Sequence, residues 1–284
     1  MVITWVLGVA YVVGLVVATT NPSLAPGVMS IALNIVLVTT ALVHGLSHYR
    51  LGDLAVYYVA VLIVANVMEN TSIITGFPFG HYYYTSELGP KLFNVPIMIG
   101  IIYAAAGYFA WVVAMSITRV WSRQLRGGET WIVPLVAAFC MAAWDLSMDP
   151  IKSTIQSEWV WEDGGNYFGV PIQNWFGWFL TVWIFFQIFG LWMSRRGAAG
   201  TPDSDGWTYR AGKSDWLFPI LIYFAMGLQA PLGALLGSTE QVTDGAGQVW
   251  SVAVIKDSLT LVTIFTMWAY SVFAVINVVR SYRR

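Results

Sequence analysis

The chain has 284 residues, of which 57% are hydrophobic and only 10% charged, and its net charge is −1. A soluble domain carries about a quarter charged residues, so this composition excludes a chain that presents mostly water-facing surface. The near-zero net charge excludes a polybasic footprint for nucleic acid, and the single cysteine, Cys140, excludes both a disulfide framework and a cysteine-based zinc site.

A membrane span needs roughly 20 apolar residues. Eight segments qualify: 2–20, 27–47, 54–75, 94–118, 130–149, 170–193, 215–237 and 250–279. The predicted fold is all-α, a polytopic integral membrane bundle of about eight helices. It forms a single transmembrane domain over residues 1–284. The first segment has no basic residue before it and is long enough to span, so it reads as a retained helix rather than a cleaved signal peptide. Turn chemistry separates the spans at Asn21-Pro22, Gly76-Phe77-Pro78 and Arg126-Gly127-Gly128, and a polar loop rich in Gly, Ser, Asp and Arg covers 194–215.

Basic residues orient the bundle. Arg50 follows the second span, Arg119, Arg123 and Arg126 the fourth, and Arg195, Arg196, Arg210 and Lys213 the sixth, while Arg280, Arg283 and Arg284 end the chain. Eleven of the fourteen basic residues thus share one side, leaving Lys91, Lys152 and Lys256 on the other. The positive-inside rule then predicts cytoplasmic termini in the plasma membrane of a prokaryote, which agrees with an even number of spans. The loops 76–93, 150–169 and 238–249 share the outer side.

Ionisable residues within spans are candidates for function. Four acids qualify: Glu69 late in the third span, Asp145 and Asp149 late in the fifth, and Asp257 early in the eighth. Asp145 and Asp149 stand four apart, so they share one helix face, and Pro150 is expected to end that helix. Two carboxyl groups this close in a low dielectric do not both ionise, which gives a neutral acid beside an anion, able to hold and deliver a proton. The plainer alternative is that they cap loops or bind Lys152 and backbone amides.

Lys256 and Asp257 superficially match a retinal-type lysine and its counter-ion. Neighbours on a helix point about 100° apart, so Lys256 reads as a snorkelling side chain. His44 and His48 are also four apart, but no further ligand motif accompanies them. They read as a solvated interfacial pair, and no metal site is expected.

Two outer loops are alike. One runs Gly76-Phe77-Pro78-Phe79-Gly80-His81-Tyr82-Tyr83-Tyr84 and then Asn94-Val95-Pro96-Ile97. The other runs Trp159-Val160-Trp161 through Asn166-Tyr167-Phe168-Gly169 to Val170-Pro171-Ile172. Each follows an acid-bearing span and ends in Val-Pro-Ile, which suggests internal duplication of a helix pair. On that reading the acids meet beneath the aromatic loops. The 15 Trp, 14 Tyr and 15 Phe exceed what interfacial belts require.

The run Met68-Glu69-Asn70, Thr75 to Gly80, Tyr82 to Tyr84, Leu88-Gly89-Pro90 and Val95-Pro96 resembles the membrane carotenoid hydratases, the CruF-like family. So do Asp145 to Pro150, Trp161, Gly164 to Pro171 and Asn174-Trp175-Phe176-Gly177-Trp178. The resemblance covers residues 68–178, the motif-bearing core, and the flanking spans agree in hydropathy alone. It implies a cofactor-free enzyme that adds water to the terminal double bond of an acyclic carotenoid, a lyase of the hydro-lyase type. The implied partners are a lipophilic polyene or other isoprenoid, the lipid bilayer and other carotenoid-pathway enzymes. One departure is His81, where the family pattern has an acidic residue; this leaves the substrate and the outcome of the reaction open.

Hydrating such an alkene takes an acid to protonate one carbon, aromatic faces around the resulting tertiary cation, and a carboxylate to take a proton from the capturing water. The expected catalytic acids are Asp145, Asp149 and Glu69. The expected substrate-binding residues are Phe79, His81, Tyr82, Tyr84, Trp144, Trp161, Tyr167, Asn174, Trp175, Trp178 and Asp257. A membrane terpene or carotenoid cyclase would use the same protonation and let an internal alkene capture the cation. A transporter or a retinal-binding protein is the reading from a different class.

Overall fold

The computed structural model describes residues 2–21, 26–198 and 212–282. Among them, seven helices are long and apolar enough to cross a membrane, and a bent pair raises the number to eight. The chain is an all-α membrane bundle. In chain order the helices are α1 (Val2–Thr20), α2 (Pro26–His48), α3 (Leu51–Thr75), α4 (Ile97–Thr118), α5 (Glu129–Pro150) and α6 (Ile172–Ala198). The bent pair α7 (Lys213–Met226) and α8 (Gln229–Leu235) follows, and α9 (Val252–Ser281) closes the bundle.

The helix α4 is the axis. A run of small residues, Ala104-Ala105-Ala106-Gly107, lets neighbours approach its backbone, and a Cβ at Gly107 would lie 2.7 Å from the Tyr57 hydroxyl. Tyr57 on α3 donates its hydroxyl to Ala104 O at 2.9 Å. The outer helices present apolar side chains outward, such as Val2, Ile3, Val6 and Val9 on α1, as a lipid-facing surface requires.

The predicted span 215–237 is broken. Pro231 cannot donate to the carbonyl of Gly227, four residues back, and its ring excludes a regular turn there. The chain bends by 46° at this break. The polar loop predicted at 194–215 is helical at both ends, since α6 runs to Ala198 and α7 begins at Lys213. Its centre with Arg210, and the terminal Arg283 and Arg284, lie outside the described residues.

Pro150 does not end its helix. The chain continues through it into a π-turn at Ile151–Ile155, closed by Gln156 N–H to Ile151 O at 2.9 Å. Without an N–H, Pro150 leaves the carbonyl of Leu146 unpaired within the helix. The Tyr167 hydroxyl supplies the missing donor at 3.1 Å.

Among the described residues, three two-stranded sheets lie in the loops joining α3 to α4, α5 to α6 and α8 to α9, all at one end of the bundle. They are β1 (Tyr82–Tyr84) with β4 (Trp159–Trp161), β2 (Lys91–Leu92) with β3 (Val95–Pro96), and β5 (Gln241–Thr243) with β6 (Val249–Ser251). The two loops that look alike in sequence therefore meet directly: β1 and β4 pair antiparallel, Tyr82 opposite Trp161 and Tyr84 opposite Trp159.

Candidate active site

Alternation along β1 and β4 builds one wall of the site. Successive strand residues face opposite ways, so Tyr82 and Tyr84 turn inward while Tyr83 is exposed, and Trp159 and Trp161 turn inward beside them. The loop before β1 is held by α3 and α6. Ser72 Oγ accepts Phe79 N–H and donates to Gly80 O, each at 3.0 Å, and Gln173 Nε2 donates to Gly76 O at 2.9 Å. Gly177 lets α6 press against this loop, where a Cβ would stand 2.7 Å from Pro78 O. Asn174 and Trp178, four apart on α6, then share the face that looks inward.

Two carboxylates from different helices face the space between these elements. Glu69, on α3, is ringed by tyrosines: Tyr82 and Tyr84 donate to Oε2, the latter at 2.9 Å, and Tyr103 donates to Oε1 at 2.5 Å. Burial and the Glu69 carboxylate push the Tyr82 and Tyr84 phenols well above their ordinary range, so both remain O–H donors. Asp149, on α5, is ringed by nitrogen donors. Trp159 Nε1 and Trp161 Nε1 reach Oδ1 at 3.0 and 3.3 Å, and Asn174 Nδ2 reaches Oδ2 at 2.9 Å. The same Asn174 nitrogen donates to Asp145 Oδ2 at 3.0 Å, so one carboxamide bridges both aspartates.

The carboxylates border a cavity of about 90 Å³. It has room for a few waters or for the tip of a slender chain, and too little for a long polyene. Its depth is aromatic: Tyr103 stacks on Trp178 at 4.4 Å, Trp144 meets Trp178 edge-on at 6.1 Å, and Tyr82 lies 4.7 Å from Trp161. Its half-buried rim includes Asn34, Leu88, Ile102 and Met148, together with Lys152 and Glu158, which pair at 2.7 Å. Lys152 therefore binds Glu158, and the alternative in which it neutralises the aspartates is not what the structure has.

Of the predicted residues, Glu69, Asp149, Phe79, Tyr82, Tyr84, Trp144, Trp161, Asn174 and Trp178 line this cavity. Asp145 is fully buried behind Asp149 and does not line it. Four predicted residues lie elsewhere. Tyr167 is committed to Leu146 O, and Trp175 packs edge-on against Tyr167 at 5.3 Å. His81 is exposed over Gly76, because β1 alternation turns it away from Tyr82. Asp257 is exposed on α9, whose inward face is carried by Ile255 and Leu259.

Tyr103 was not predicted, although its hydroxyl stands directly ahead of three alanines within an apolar span, and neither were Asn34, Lys152 and Glu158 as rim residues of a site. The predicted solvated pair His44 and His48 is in fact buried. The two rings stack at 4.1 Å; His44 meets the Tyr108 hydroxyl at 2.6 Å, and His48 lies 3.5 Å from Asp215. Aromatic neighbours on α4 and α7 cover the helix end that the sequence left open.

No curated protein and no solved structure matches the chain. One protein family does, over residues 27–240, a stretch that holds every residue lining the cavity. On that match, which covers most of its length, the chain belongs to the carotenoid biosynthesis protein family.

Proposed function

We propose that the protein is a cofactor-independent hydratase that adds water to the terminal double bond of an acyclic carotenoid. The observation that carries this reading is the facing of two carboxylates, Glu69 and Asp149, across one small aromatic cavity, each held by its own set of donors.

Asp149 delivers a proton to the less substituted alkene carbon; the C–H bond forms from the π pair as the O–H bond breaks. The tertiary cation lies against the rings of Tyr103, Trp144 and Trp178, each contributing about 0.5–2 kcal/mol when desolvated. A water adds to the cation, and Glu69 takes the proton released. The cavity's volume limits entry to the chain end, so the rest of the polyene lies among the apolar helices.

The resemblance of 68–178 to membrane carotenoid hydratases points the same way. We place the enzyme in a prokaryotic plasma membrane as one domain, with cytoplasmic termini and the cavity toward the outer face, in reach of other enzymes of the pathway. Co-expression with a lycopene-producing pathway, followed by liquid chromatography and mass spectrometry, tests the reading. A product heavier by one or two waters supports it; a new product of unchanged mass assigns the protein to the cyclases.

A further inference from the structure

Asp145 borders no part of the cavity, yet it is fully buried against the residue that bridges to Asp149. Its Oδ2 accepts Asn174 Nδ2. Among the described residues no donor reaches Asp145 Oδ1, and none reaches Asn174 Oδ1. Buried acceptors without donors are rare, and here two belong to a single joined pair of planar groups.

The nearby titratable groups are already committed. Tyr82, Tyr84 and Tyr103 donate to Glu69, Lys152 is tied to Glu158, and Tyr167 donates to Leu146 O. None of them supplies the missing donor. Asp149 differs from Asp145 in that three N–H groups already occupy its two oxygens. Turned end for end, the Asn174 carboxamide would set an acceptor against both carboxyl groups and require a proton on each.

We propose that the resting protein carries one proton on Asp145 Oδ1, held by Asn174 in a carboxylic acid–carboxamide pair, beside an anionic Asp149. A single proton there gives both empty acceptors a shared hydrogen bond. Asn174 is then a positioning residue, and Asp145 is the store from which the cavity acid is loaded.

The consequence for catalysis rests on the hydratase reading. Asp149 faces the alkene but is anionic at rest, so it first takes the proton from Asp145 Oδ1, its own O–H bond forming as that of Asp145 breaks, and then delivers that same proton to carbon. Asp145 becomes a carboxylate. Glu69 takes a proton from the captured water and returns it to the aspartate pair through cavity water. One alkene and one water become one alcohol, and the protein regains its starting protons.

Infrared spectroscopy of the purified protein without substrate, in H2O and in D2O, tests the proton's location. A protonated-carboxyl stretch that shifts in D2O is expected in the wild type and in Asp149→Asn. It is expected to vanish in Asp145→Asn, a near-isosteric change that keeps the packing, and to move in Asn174→Leu as the amide partner is lost. A wild type without this band overturns the proposal, as does a band that survives Asp145→Asn or vanishes in Asp149→Asn. If Asn174→Leu fails to fold, the two aspartate variants still decide.

With substrate, Asp145→Asn lowers kcat by about 10²- to 10⁴-fold at unchanged KM, and an unchanged kcat contradicts the role as a store. Because the infrared result needs no substrate, an assigned Asp145 band without hydrated product would remove the hydratase reading and leave the proton assignment standing.

Discussion

Tyr82 and Trp161 stand directly opposite each other in a two-stranded sheet, and each gives its polar hydrogen to a different carboxylate: Tyr82 to Glu69, Trp161 to Asp149. Tyr84 and Trp159 repeat the arrangement two residues along. One strand therefore supplies hydroxyl donors to one acid, and its partner supplies indole donors to the other. A carboxyl group fixed by indole N–H groups and another fixed by phenols occupy two walls of one cavity, which suits a reaction needing a proton delivered at one point and removed at another.

Asp149→Asn removes the acid at the alkene while keeping a side chain of the same shape. Turnover falls by about 10²- to 10⁴-fold, with folded yield from detergent extracts unchanged. Full activity in this variant would take Asp149 out of the mechanism.

Glu69→Gln separates the two halves of the reaction. Protonation by Asp149 remains, but nothing takes the proton from the capturing water. Hydrated product is expected to fall and products of unchanged mass, formed by proton loss from the cation, to rise in proportion. Mass-resolved chromatography reads the ratio, and a uniform loss of all products would show that Glu69 acts before the cation forms.

Trp178→Leu removes a π face stacked on Tyr103 and keeps an apolar filler. The loss of about 0.5–2 kcal/mol of cation stabilisation corresponds to roughly a 2- to 30-fold drop in kcat. An unchanged kcat would place the cation elsewhere in the cavity.

Tyr167→Phe leaves the half-buried Leu146 carbonyl without its donor at the turn where Pro150 interrupts the helix. Stability is expected to fall by about 0.5–1.5 kcal/mol, read as a lower unfolding midpoint in detergent, while the product keeps its mass.

His81→Ala and Asp257→Asn change exposed side chains outside the cavity. Both are expected to keep turnover within about twofold, as surface substitutions generally do. A large loss in either would mean the substrate reaches beyond the cavity described here.

The bundle was legible because apolar runs near 20 residues leave few alternatives in a chain with so little charge. Glu69 and Asp149 were legible for the same reason, as acids in segments where acids are expensive. The pairing of β1 with β4 could be suspected from the likeness of the two loops, but its register could not, because register depends on which strand face packs inward. Asp257 misled because a charge near the end of a span can face outward, and only packing against α5 and α8 shows that Ile255 and Leu259 hold the inner face. His44 and His48 misled in the opposite sense, since the residues that bury them arrive from α4 and α7, far along the chain. Pro150 is the clearest local failure. The usual breaker is tolerated because Tyr167, in a distant loop, supplies the donor that the helix lost.

The central claim is that water becomes part of the product. The most direct measurement supplies the purified protein with an acyclic carotene in heavy-oxygen water and follows the label by mass spectrometry. The account predicts one labelled hydroxyl per modified end, and one carbon-bound deuterium when the same reaction is run in D2O. A new product that gains deuterium but no oxygen would contradict hydration and identify a protonation followed by ring closure or proton loss.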